Sequence, residues 1–346
     1  PNPNVIIATS AADFKTPTRA GIWRSTNEGS TWEFISLPNN CPTNFSTNAL
    51  HYEASTQRLY AGTSCGIAVS TDAGVTWNYL PAAPGFLGTE DVRDVMTSSA
   101  NRILFSTNSQ LRSTSDNGAN WTVIGNFWTS FSNRSIAVSP SNEQHIYFAT
   151  NAGLQFTNNN GSSWTIVSPN GVNRPSFVKV STSTTTGGAT KYTVYHSDGG
   201  CSLRKSEVTH SANPTFGTWT AATTQHCDYS DIGFSSDGKT PLLLTGDGGN
   251  QVTSDGGVTW TLSNKFYEAM QITEVTGQLH SENNGTADLY FGTQDNDIWA
   301  SANTGSTWTS KICCEGFFLG VSRAYLPADQ TKVTGVTCGA CYNFMA

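Results

Sequence analysis

One eight-residue phrase recurs along this chain and closes each time on a tryptophan. It reads Ser70-Thr-Asp72-Ala-Gly74-Val-Thr76-Trp77, Thr114-Ser-Asp116-Asn-Gly118-Ala-Asn120-Trp121 and Thr253-Ser-Asp255-Gly-Gly257-Val-Thr259-Trp260. Looser copies, with Asn in place of Asp, run from Ser25 to Trp32, Thr157 to Trp164 and Ser301 to Trp308, and a degenerate copy ends at Trp219. The closing tryptophans fall at 32, 77, 121, 164, 219, 260 and 308, so successive copies lie 41 to 55 residues apart. That interval holds one four-stranded sheet with its turns, and repetition at this period marks a propeller. Seven tryptophans predict an all-β, seven-bladed β-propeller of four-stranded antiparallel blades.

The phrase has a local logic. A hydroxyl and a carboxylate can bridge a tight turn between two strands, and Gly permits the positive φ such a turn needs. The Trp opens the next strand, where it can pack between blades. In the fourth copy, Ser135–Ser139 reads as inner strand A, His145–Thr150 as B, Gly153–Phe156 as C and Trp164–Val167 as D, by period-2 alternation and β-branched enrichment. Asn4–Thr9 matches a B strand, so the first blade lacks its inner strand. Gly316–Ser322 is the expected donor, closing the ring between the chain's two ends. Residues 1–325 are then the propeller. In the remaining 326–346, Lys332–Gly339 resembles a second B strand, so that tail reads as the start of a further blade or domain.

The repeated phrase resembles the Asp-box, or BNR repeat, of sialidases, sortilin-type receptors and xyloglucan-cleaving endoglucanases. The resemblance covers nearly the whole chain. It implies the propeller fold, with the boxes (Trp32, Asp72, Trp77, Asp116, Trp121, Trp164, Asp255, Trp260, Trp308) in structural roles. In the xyloglucan-cleaving enzymes a catalytic Asp sits in the first blade's B–C loop, which implies such a role for Asp13, although the spacing around Asp13 differs. The sialidase Phe-Arg-Ile-Pro signature is absent.

Composition narrows the partners. Only 12% of residues are charged, with 18 Lys and Arg against 25 Asp and Glu. No basic run exists to neutralise phosphates, which excludes nucleic acid. No apolar stretch approaches the ~20 residues of a membrane span. A hydroxyl- and amide-rich surface suits an extracellular, secreted or cell-surface protein. The eight cysteines agree: Cys41, Cys65, Cys201, Cys227, Cys313, Cys314, Cys338 and Cys341 all map to the face carrying the D–A and B–C connections. Cys41–Cys65 and Cys201–Cys227 are the expected bridges, with the last four unassigned.

The same face collects carboxylates and aromatics. Catalytic candidates are Asp13, Asp247 and Asp295, and ligand-binding candidates are Asp198, Asp228, Tyr229, Asp297, Trp128 and Tyr267. Inner-strand entries add Glu90, Asp91, Asp94, Asp231, Glu274 and Glu315. Sugars stack on rings and present hydroxyls to carboxylates, so a polysaccharide or glycan is the expected ligand, and a glycoside hydrolase needs two such carboxyls. A structural or adhesive propeller engaging another protein is the alternative. His196, Asp198, His226 and Asp228 would converge across a Cys201–Cys227 bridge. They are read as solvated groups, so no metal and no cofactor is expected.

Overall fold

The computed structural model describes residues 4–10, 21–38, 46–128, 134–169, 172, 174–198, 202–224, 228–246, 249–263, 272–279, 287–293, 298–312, 315–321, 333–338 and 342–345. It divides into two units. The first comprises Pro1–Gly246 and Asn250–Ser263, and the second Asp247–Gly249 and Asn264–Ala346.

The first unit is a run of small antiparallel sheets of propeller type. A three-stranded sheet (Ile6–Ser10, Gly21–Ser25, Glu33–Ile35) is followed by a second sheet of Thr47–Glu53, Arg58–Thr63, Gly66–Ser70 and Asn78–Tyr79. The third holds Asp94–Ser99, Arg102–Ser106, Gln110–Thr114 and Thr122–Asn126. The fourth holds Ile136–Ser139, Asn142–Thr150, Gly153–Thr157 and Thr165–Ile166, within a few residues of the expected strands. The fifth is larger, with six strands from Val178 to Thr223, and the sixth runs from Tyr229–Phe234 to Thr261–Leu262. Consecutive sheets touch through their first strands, as neighbouring blades do around an axis.

The second unit carries a four-stranded sheet (Ile272–Leu279, Ala287–Thr293, Ile298–Ser301, Thr309–Ile312) and a three-stranded one (Glu315–Val321, Val333–Cys338, Tyr342–Met345). Among the described residues six sheets therefore have four or more strands, which corrects the expected seven. The first sheet is short of an inner strand, as its sequence predicts. Its expected donor, Glu315–Val321, pairs antiparallel with Val333–Cys338. Pairing of strands that follow one another in sequence is the default.

The repeated phrase forms the same turn in each regular sheet. Ser70 Oγ accepts from Gly74 N–H at 2.9 Å and donates to Asp72 Oδ1 at 2.8 Å. The Asp72 carboxylate in turn accepts from Thr76 N–H at 2.9 Å and from Thr76 Oγ1 at 2.5 Å. In the looser copies Asn27, Asn159 and Asn303 take the same acceptor role toward Thr31, Ser163 and Thr307. The residue before the Gly is left-handed in every case, with φ near +58° at Ala73 and Asn117. The fifth sheet is the exception. Thr215–Phe216 simply pairs back onto Ser202–Thr209, and Trp219 closes no such turn.

The tryptophans join the sheets of the first unit. Trp77 lies among Ile22 and Leu37 of the first sheet and Leu59, Ala61 and Ala68 of the second. Trp121 packs with Tyr60 and Ile67 of the second sheet and Val95 and Phe105 of the third. Trp260 joins Tyr195 and Leu203 of the fifth to Ile232 and Leu244 of the sixth. Burying an indole and its neighbours this way contributes about 2–3 kcal/mol per large side chain.

Candidate functional site

The first strands of the second to sixth sheets bring a set of charged and amide side chains together inside the first unit. They surround a cavity of about 500 Å³ lined by Asn48, Arg134, Ser176, Ser230, Asp231 and Thr245, among others. Arg134 is held there because its segment bridges to Phe177 and its carbonyl accepts from Val178 N–H at 3.0 Å. Asp231 stands on the inner strand of the sixth sheet opposite Thr245.

Asp231 is the hub. Its Oδ2 lies 2.7 Å from Arg134 Nη1 and its Oδ1 3.4 Å from Lys179 Nζ. Oδ1 also accepts from Ile232 N–H at 2.9 Å. With side chains about a quarter to two-fifths exposed, this is a wet ion-pair cluster, worth more for orientation than for stability. At another part of the rim, Asn48 Nδ2 donates to Asp91 Oδ1 at 3.2 Å and to Val92 O at 2.9 Å, and Asp91 pairs with Arg93 at 2.5 Å.

Asp94 occupies in the third sheet the register position that Asp231 holds in the sixth, opposite Ser106. Its environment differs. It is buried, and its carboxyl accepts from Ile136 N–H and Val95 N–H, each at 2.9 Å. Burial pushes its pKa up to about 7, against those hydrogen bonds and the charges of Arg134 and Lys179. His51, whose Nε2 lies 2.8 Å from Thr97 Oγ1, is pushed down to about 4, first by burial and then by Lys179. Two carboxyls in equivalent places thus have unlike characters, one ion-paired and one a buried acid that keeps its proton close to neutrality.

The expected site residues fall in different places. Asp198 is paired with Arg204 at 3.1 Å. Asp228 is exposed with φ +55°. Tyr229 is buried in the core between the fifth and sixth sheets, while Trp128 is 73% exposed. His196 is buried, its ring 4.8 Å from that of Trp219. Cys65 is buried and disulfide-bonded. Cys338 lies in a strand opposite Glu315. Asp13, Asp247, Asp295, Asp297, Tyr267, His226, Cys41, Cys201, Cys227, Cys313, Cys314 and Cys341 lie outside the described residues. Among the described residues no three His, Cys, Asp or Glu side chains gather so as to hold a metal ion, and no helix is long and apolar enough to cross a membrane.

Arg134, Lys179 and Asn48 were not among the sequence candidates. A signal for the site did exist, since Asp94-Val-Met-Thr-Ser-Ser99 and Asp231-Ile-Gly-Phe-Ser-Ser236 repeat an Asp in phase at the head of an inner strand.

No protein-family model matches the sequence, and no curated protein is similar to it by sequence. Solved structures similar to the chain are β-propellers. YCF48 bound to a D1 peptide is 13% identical over 92% of this chain and 82% of that one, with a TM-score of 0.39. An ancestral GH74 enzyme is 13% identical over 96% of this chain and 64% of that one, at 0.40. The GH74 enzyme of Niastella koreensis is 15% identical over 100% and 73%, at 0.35.

Proposed function

We propose that this chain is an extracellular Asp-box propeller that binds a polysaccharide or glycan in the cavity around Arg134 and Asp231. The observation that carries the reading is the lining of that cavity. The Asp231 carboxylate offers acceptors, Arg134 and Asn48 offer donors, and Ser176, Ser230 and Thr245 offer both. Such a mixture matches sugar hydroxyls, each of which donates once and accepts twice. The low charge of the chain and the disulfide at Cys65 support an oxidising, extracellular setting, with Cys41 as the proposed partner of Cys65.

Hydrolysis is the second reading, favoured by one observation. Asp94 is a buried acid with a raised pKa on the strand position equivalent to that of ion-paired Asp231, and unlike carboxyls of this sort divide acid and base roles in glycosidases.

A panel of soluble and insoluble polysaccharides tests both, scored for protein depletion and for new reducing ends. Depletion that falls at least tenfold in Arg134→Gln and Asp231→Asn supports binding at this cavity. Reducing ends that vanish in Asp94→Asn add cleavage. Neither signal on any polymer overturns the glycan reading and leaves the adhesive, protein-binding propeller as the alternative.

A further inference from the structure

Away from that cavity, two imidazoles meet between the fourth and fifth sheets of the first unit. His145 lies on Asn142–Thr150 and His210 directly follows Ser202–Thr209, and their ring centroids are 5.6 Å apart. His145 is 0% exposed and neither of its ring nitrogens makes a well-aligned hydrogen bond, although the Ala212 carbonyl interacts with its ring, and Nδ1 of His210 has no partner. Such poorly matched buried nitrogens at one spot are unusual. Buried polar atoms are nearly always satisfied, and the exceptions mark strain, a catalytic role, or a bound ion or water.

Burial first and then the neighbouring His210 push the pKa of His145 down, which favours the neutral imidazole that ligates metals. Metal–nitrogen bonds of about 2.0–2.1 Å at tetrahedral angles place two ligand rings roughly 5–6 Å apart between centroids. The observed separation falls in that range. The Ala212 carbonyl lies close enough to His145 to favour its charged form, and it is fixed in place by Asn158 Nδ2 at 3.2 Å. Asn158 also donates to Asn213 Oδ1 at 2.7 Å, tying the loop after His210 to the turn of the fourth sheet.

We propose that His145 and His210 form a site for a divalent late first-row transition ion, with the Ala212 carbonyl and water completing its shell. Imidazole suits zinc and copper, and with so few ligands copper(II) binds more tightly than zinc. The site cross-links two adjacent sheets and is independent of the glycan reading.

Calorimetric titration of the untagged full chain with zinc(II) tests this, alongside electron paramagnetic resonance of the copper(II)-loaded protein. One equivalent of zinc, at least tenfold weaker in His210→Gln, and a copper spectrum showing nitrogen couplings that are lost in the same variant, are the expected results. His210 is only partly buried, so this substitution spares the core. His145→Asn, checked for a native circular dichroism spectrum, must weaken binding likewise. No zinc binding by the wild-type chain, or binding that survives intact in His210→Gln, overturns the proposal.

Discussion

Arg58 of the second sheet donates through Nη1 to Asn117 Oδ1 of the third, at 3.1 Å, and so holds the left-handed residue of the next sheet's turn. The relationship recurs. Arg24 Nε reaches Ala73 O at 3.0 Å, Arg102 reaches Asn160 Oδ1, and Lys205 Nζ reaches Gly257 O at 3.4 Å. Each cation stands on a strand of one sheet and grips the turn of its successor. The Arg102 side chain is nearly buried, and it also donates to the Glu143 carbonyl. Arg102→Ala therefore removes a nearly buried side chain together with both of these hydrogen bonds and is expected to lower stability by about 2–3 kcal/mol. Arg58→Ala, at an exposed contact, is expected to cost less than about 1 kcal/mol. Urea unfolding at pH 7 compares the two, and equal losses would refute the distinction.

Gly161 has φ +86°, and a Cβ there would stand 2.4 Å from Ile124 O of the preceding sheet. Gly256 has φ +71° with open space around it. Gly256→Ala is expected to cost only the left-handed penalty, about 1–2 kcal/mol. Gly161→Ala adds a backbone collision and should cost at least about 2 kcal/mol more. Thermal unfolding of both variants measures the difference.

The turn carboxylates carry an acid dependence. Hydrogen bonds from Thr76 hold Asp72 down to about 2, against about 3.9 in an unfolded chain. A depressed carboxyl stabilises the fold fully above its unfolded pKa and loses that contribution as pH falls through the folded value. Stability should thus decline between about pH 4 and 2. Asp72→Asn should remove that part of the decline while keeping the turn, because Asn27 already makes the equivalent bonds to Thr31. Urea midpoints at pH 7 and 2.5 decide it.

His51 and Asp94 act with opposite signs. His51, lowered to about 4, favours the fold above its unfolded pKa of 6.5 and loses that contribution as pH falls from there toward 4. Asp94, raised to about 7, favours the fold below about pH 4 and loses that contribution as pH rises toward 7. Each slope is bounded at about 1.4 kcal/mol per pH unit. The two slopes oppose each other across about pH 4–7, so Asp94→Asn should leave stability rising with pH there and His51→Gln should leave it falling. An unchanged profile in either variant would contradict the assigned environments.

The turns were fully legible in the sequence, because every interaction in them spans five residues or fewer. So were the strands of the fourth sheet, where alternation and β-branching agree. Blade count was not. The first sheet has a full closing phrase but only three strands among the described residues, and no local pattern says which distant segment would complete it. The cavity was half legible: Asp94 and Asp231 repeat in phase, whereas Arg134 and Lys179 matter only because three separate sheets bring them to one carboxylate. Tyr229 shows the converse, an aromatic beside acidic residues whose ring the fold turns into the core.

The tryptophans that end the second to sixth repeats complete clusters begun by the sheet before, as Trp121 does for Tyr60 and Ile67. A sheet leaving the ribosome therefore waits with an open flank until some forty further residues arrive and cap it. Assembly of the first unit should run in the direction of synthesis, one flank at a time, with chaperone demand set by the growing tip. A lesion in one repeat would then be felt first by its predecessor, already made, and stall its successors behind it.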